Sequence, residues 1–112
     1  MVTFEDRTDA EPDRITVAFA GDCDLASRDR LTAMLLDAVD RAPTVLVDMS
    51  AVEFLDSSGV HALVTAHRAA ELRGRRVYVA GATGATAVVL EMTGLDVLMR
   101  APTESPGERR HG

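Results

Sequence analysis

The chain predicts an α/β domain built on a single mixed β-sheet, β-β-α-β-α-β-α-β, with its helices mainly on one side. Three observations carry that expectation. Short apolar runs with strand character alternate with longer stretches of helical periodicity. The connections between them are short, which forces parallel pairing through crossover helices. An alternating pair of segments at the start adds an antiparallel edge.

In order, Val2-Thr3-Phe4-Glu5 alternates as a strand does, and Thr8 to Asp13 is polar and turn-like. Ile15, Val17 and Phe19 then fall on one face of a second strand, so the two segments read as a hairpin broken by Gly21-Asp22-Cys23-Asp24. From Ala26 to Arg41 the period changes. Leu31, Met34, Leu35, Ala38 and Val39 form one apolar helical stripe, with Ser27 or Asp24 as cap and Pro43 as stop. Val45-Leu46-Val47-Asp48-Met49 is almost continuously apolar and predicts a central strand buried on both faces. Ser58 to Leu72 predicts a second helix with Val60, Leu63, Val64 and Ala70 inward, ended by Gly74. Arg76 to Ala80 is a further strand, and Ala85 to Thr93 a third helix with Thr83 as N-cap and Gly94 as its left-handed stop. Leu95 to Arg100 is expected as a last short strand, and the polar tail 101–112 as disordered.

At 112 residues the chain makes one domain with one core. It is 46% hydrophobic and 27% charged, with a net charge of −6, and all twelve positive residues are Arg. That balance lacks the basic footprint of sequence-independent nucleic-acid binding and disfavours anionic membranes. No apolar run approaches the roughly 20 residues of a spanning helix, and the acidic start lacks a signal peptide's pattern, so a cytoplasmic location is expected without membrane insertion. The single Cys23 makes no internal disulfide and no Cys-based metal cage.

The chemistry-bearing stretch is Phe54-Leu-Asp-Ser-Ser-Gly-Val-His-Ala-Leu63. A Ser before a helix is most often a cap. A nucleophile would need a base and the G-x-S-x-G elbow, and no Gly stands two residues before either serine. His61 sits too near along the same helix, His67 falls within the apolar arc and His111 lies in the tail, so catalysis is not expected. A phosphorylation site is the third reading. A helix start carries free N–H groups and positive dipole, and a phosphate there adds about −1.5 to −2 charges beside Asp56. Ser58 then suits the cap and Ser57 the phosphate, and Gly59 allows close approach of a partner's backbone. Met34, Met49, Met92 and Met99 read as core filling, the Arg73-Gly74-Arg75-Arg76 cluster as a solvated turn, and His67 as a packed helix residue.

Asp48, Ser50, Val52, Phe54, Asp56, Ser57, Ser58, Gly59 and Leu63 match D-x-S-x-V-x-F-x-D-S-S-G-x-x-x-L. That pattern resembles the STAS domain signature, in the branch of bacterial anti-sigma factor antagonists. Gly21-Asp22-Cys23-Asp24 is similar to the family's G-E-L-D, and Leu90 to Leu95 to its L-x-x-[ST]-G-L. The resemblance spans residues 1–100. It implies a non-enzymatic switch, an anti-sigma factor antagonist that binds an anti-sigma factor serine kinase while Ser57 (less favourably Ser58) is unphosphorylated, so releasing a sigma factor. A serine phosphatase would reset it. Asp24, Asp56, Ser57, Ser58, Gly59 and His61 would meet the partner, which itself supplies ATP and Mg²⁺, so no cofactor is expected in this chain. His61 and Cys23 depart from the family's usual Gly and larger aliphatic. A monomer or weak dimer is expected. The rival readings are an adaptor subunit of a signalling or transport complex with Ser57 unmodified, and, last, a nucleotide or small-ligand binder.

Overall fold

The structure is a computed structural model, and it describes residues 7–101. Strand β1 (Arg7–Ala10) turns back through residues 11–13, where Glu11 N–H donates to Arg14 O at 2.8 Å, into β2 (Arg14–Cys23). A 3₁₀ turn (Leu25–Ser27) leads into α1 (Arg28–Arg41). Then follow β3 (Thr44–Leu55), α2 (Ser57–Leu72), β4 (Arg76–Ala80), α3 (Gly84–Thr93) and a single-turn α4 (Leu95–Leu98). The sheet order is β1-β2-β3-β4, with β1 antiparallel to β2 and the other pairs parallel. The predicted mixed α/β sheet is the observed architecture.

Alternation decides which face is covered. Ile15, Val45 and Val77 lie side by side in register and are buried, as are Val17 and Val47 on the same face. Against them pack Leu31, Leu35, Ala38 and Val39 of α1 and Ala62, Leu63, Ala66 and Ala70 of α2. The intervening Thr16, Leu46 and Tyr78 are half-buried on the other face. β3 is therefore covered on one face, not on both as its apolar run suggests. Leu46 contributes to the run but sits on the open side.

Toward its C-terminal end β3 gains an extra residue on β2 twice, between Ala18 and Ala20 and between Gly21 and Asp22. Each irregularity bends the strand and shifts which residues face inward. Buried Val52 and Leu55 consequently stand three residues apart, not two. The bent end brings Leu55 beside Cys23 and delivers the chain to the start of α2.

Four expectations change. The hairpin strand falls at Arg7–Ala10, overlapping the Thr8–Asp13 stretch expected as a turn, and the strand expected at Val2–Glu5 lies outside the described residues, as does most of the tail. The last strand reduces to a single bridge between Val79 and Arg100, because Leu95 and Met99 are buried four apart, the spacing of a helical turn. Gly94, at φ +79°, ends α3 and starts that turn. The arginine cluster is more than a solvated turn. Arg73 pairs with Asp40, and Arg75 Nη1 donates to the Val39 and Ala42 carbonyls at 2.5 and 3.1 Å, satisfying the free C-terminal end of α1. Finally, Met49 and Met99 are core residues, but Met92 is 80% exposed.

Candidate functional site

The D-S-S-G stretch forms the junction of β3 and α2, and its cap belongs to the acid. Asp56 has the extended backbone of an N-cap, and its Oδ1 accepts from the N–H groups of Ser58 at 2.8 Å and Gly59 at 3.3 Å. Ser58, expected as the cap, is instead the second helical residue and half-buried. Ser57 occupies the first helical position and is exposed. Helix geometry leaves first-turn N–H groups without intrahelical partners. Asp56 takes those of Ser58 and Gly59, so the dipole-positive turn under Ser57 keeps the N–H of Ser57 itself.

Gly59 serves the inside of the protein. It is buried, and a Cβ added there would lie 2.5 Å from Leu55 Cδ1 and 2.7 Å from Cys23 O. A side chain would thus drive α2 off the end of β2. Gly59 therefore sets how closely α2 approaches the end of β2. Cys23 is buried, as a thiol in place of an aliphatic requires, and its carbonyl accepts from Asp56 N–H at 3.2 Å. One residue therefore locks the two loops together.

The neighbouring loop is tied in a reciprocal cap. Asp24 Oδ1 accepts from Ser27 N–H at 3.3 Å, while Ser27 Oγ accepts from Asp24 N–H at 3.1 Å. Asp24 holds the turn before α1 while remaining half-buried at the surface. Asp22 stands beside Phe54 in register, and both are exposed. His61 follows Ser57 by four residues, one turn along the same face of α2, and is also exposed. The structure thus gathers Asp24, Asp56, Ser57, Ser58 and His61 at one end of the sheet. His67 is apart from them, half-buried and 3.4 Å from Glu71.

Two residues at this end were not foreseen. Val89 and Met92 of α3, with Leu55, Asp56, Ser57, Val60 and Thr93, line an open groove of about 260 Å³ between α2 and α3. The sequence carried a signal for it. Val88-Val89-Leu90-Glu91-Met92 holds more apolar residues than one buried stripe needs, and only Thr86 and Leu90 of α3 are buried. Among the described residues no cluster of His, Cys, Asp and Glu could hold a metal ion, and no helix is long and apolar enough to cross a membrane.

Comparison with known proteins adds a family and a fold. The family model described as "Mlab, STAS domain" matches residues 7–100. No protein of curated function matches the sequence. Among solved structures, an anti-sigma factor antagonist from Mycobacterium paratuberculosis is similar at 25% identity, with a TM-score of 0.74 over 91% of this chain and 88% of its own. The anti-sigma factor antagonist SpoIIAA in its unphosphorylated form is similar at 20% identity, TM-score 0.74, over 91% of this chain and 90% of its own. The phosphorylated form of SpoIIAA, a Bacillus cell fate determinant, gives 20% identity and a TM-score of 0.68 over 91% and 93%.

Proposed function

The chain belongs to the STAS domain family, and on that premise we propose that it is an anti-sigma factor antagonist switched by phosphorylation at Ser57. STAS modules of this kind bind and do not catalyse. In the unmodified state the acidic end of the sheet binds a kinase-type anti-sigma factor, which then releases its sigma factor. The partner's kinase activity ends the contact and a serine phosphatase restores it.

One observation carries this reading: of the two serines at the capped start of α2, Ser57 is the exposed one. A kinase needs its target oxygen in line with the γ-phosphorus of ATP, so an exposed and fixed Oγ favours transfer. Ser57 Oγ attacks that phosphorus, the hydroxyl proton leaves to a base of the partner, and ADP departs. Ser58 is less suited, being half-buried under the Asp56 cap. The phosphate would then sit beside the unshared N–H of the first turn, which accommodates it without unfolding the helix.

The off state follows from local charge. A kinase holds nucleotide phosphates against Ser57 at the moment of transfer. After transfer, about −1.5 to −2 new charges face those of ADP, and the close contact is repelled. SpoIIAA, whose structure is known in both forms, gives this reading a precedent within the same fold.

Incubation with a candidate anti-sigma factor kinase and ATP, followed by mass-spectrometric mapping, tests the assignment. Phosphate on Ser57 is expected. Phosphate found only outside Ser57 and Ser58 would overturn it.

A further inference from the structure

We infer that the groove between α2 and α3 is a docking slot for a basic segment of a partner protein, with one bulky apolar side chain inserted. This rests on the reading of the Ser57 end as the docking face and specifies what that face accepts.

The floor of the groove is apolar and open to solvent. Leu55, Val60, Val89 and Met92 contribute to it, and Met92 is 80% exposed with no role in the core. Its volume of about 260 Å³ takes a leucine or phenylalanine side chain with space for the flanking backbone. Val88, one turn from Met92 along α3, continues the apolar strip outward.

Charge selects the occupant. The residues that line the groove include no Arg and no Lys, while Arg28, paired with Asp29, and Arg30 stand at the start of α1 and Arg100 follows α4 at the same end of the sheet. Against these stand Asp22, Asp24, Asp48, Glu53, Asp56, Glu91 and Asp96. Other arginines lie at the opposite end, with Arg14 and Arg76 at strand starts and Arg41 and Arg73 at the ends of helices α1 and α2. The groove is thus an apolar slot, free of Arg and Lys in its lining, at an end of the sheet where acids outnumber arginines. An Arg- or Lys-rich segment gains from that excess of acids, both in encounter rate and in selectivity. A second copy of this chain would bring the same acidic end or an apolar strip of its own net −6 molecule, and an anionic lipid surface would be repelled. Ser57 lines the rim of the slot, so occupancy by the partner also delivers its nucleotide-bearing surface to the hydroxyl.

The test uses the ¹⁵N-labelled chain and three short arginine–glycine peptides by NMR titration. One peptide has a central Phe, the second a central Ser, and in the third glutamate replaces each arginine of the first. The Phe peptide is expected to shift the amides of Ser57, Val60, Val89 and Met92, and to bind about tenfold or more tightly than the Ser peptide. The glutamate peptide is expected not to bind. Met92→Arg should abolish Phe-peptide binding while leaving the rest of the spectrum in place, since that side chain is exposed. Equal binding of the Phe and Ser peptides, binding of the glutamate peptide, shifts mapping elsewhere, or no response at millimolar peptide would each overturn the inference. So would the same resonances responding to phosphatidylglycerol vesicles or to protein concentration alone, which would make a lipid or a second copy the occupant. The peptide result is independent of the kinase assay. Phosphate on Ser57 without peptide binding removes the slot and leaves the switch, and the converse removes the switch and leaves the slot.

Discussion

Helices α2 and α3 both begin where a strand of the parallel sheet ends, yet they are finished in opposite ways. α2 is capped by the Asp56 carboxylate on two N–H groups and buries five residues, Gly59, Ala62, Leu63, Ala66 and Ala70. At the N-cap position of α3, Thr83 makes no side-chain bond, and that helix buries only Thr86 and Leu90. Thr86 Oγ1 reaches Val52 O at 3.4 Å, a long tie to the bent end of β3. The two helices divide their labour. α2 is the fixed platform that presents Ser57, and α3 is the lightly anchored wall beside it. Local opening should follow the same line, since few buried contacts mean a low opening free energy.

The largest expected effect contrasts the two helices at their cores and surfaces. Leu63→Ala in α2 should lower unfolding stability by about 2–5 kcal/mol, and Met92→Ala in α3 should change it by less than about 0.5 kcal/mol. Denaturant melts of both variants check this, and similar losses would erase the distinction between platform and wall.

Next comes the junction. Gly59→Ala gains helix propensity but forces a Cβ against Leu55 and the Cys23 carbonyl, so a net loss of about 1–3 kcal/mol is expected. Unchanged stability in the same melts would mean that α2 can slide from β2, and that glycine there has another purpose.

The smallest effect separates the caps. Asp56→Ala should cost about 1 kcal/mol, whereas Thr83→Ala should cost no more than a few tenths, because no side-chain bond is lost. Native-state hydrogen exchange gives the companion readout, with amides of α3 exchanging faster than those of α2. Equal protection of the two helices would contradict the comparison.

Much of this was legible in the chain. Period-2 and period-3.6 patterns located α1, α2, α3 and three of the strands, and the D-S-S-G motif located the site. What stayed hidden has physical causes. Leu95 to Arg100 is short and apolar, and such a run reads equally as strand or helix until Leu95 and Met99 find the core one turn apart. From the sequence Ser58 suits the cap, because hydroxyls and carboxylates both cap well. Asp56 wins by standing first, where the backbone is still extended. Gly59 looked like a surface feature because the chain does not show that Cys23 O lies under it. Met92 reads as core because apolar residues usually are, and only the placement of α3 shows that it has no core to enter.

The central claim is that charge at Ser57 controls binding, and the direct measurement is the affinity of Ser57→Ala and Ser57→Asp for the cognate anti-sigma factor in the presence of nucleotide. Both variants should fold, since Ser57 is exposed and an acid at the first helical position favours the helix dipole. The account predicts that Ser57→Ala binds constitutively and that Ser57→Asp loses binding. Equal affinity of the two variants would contradict it.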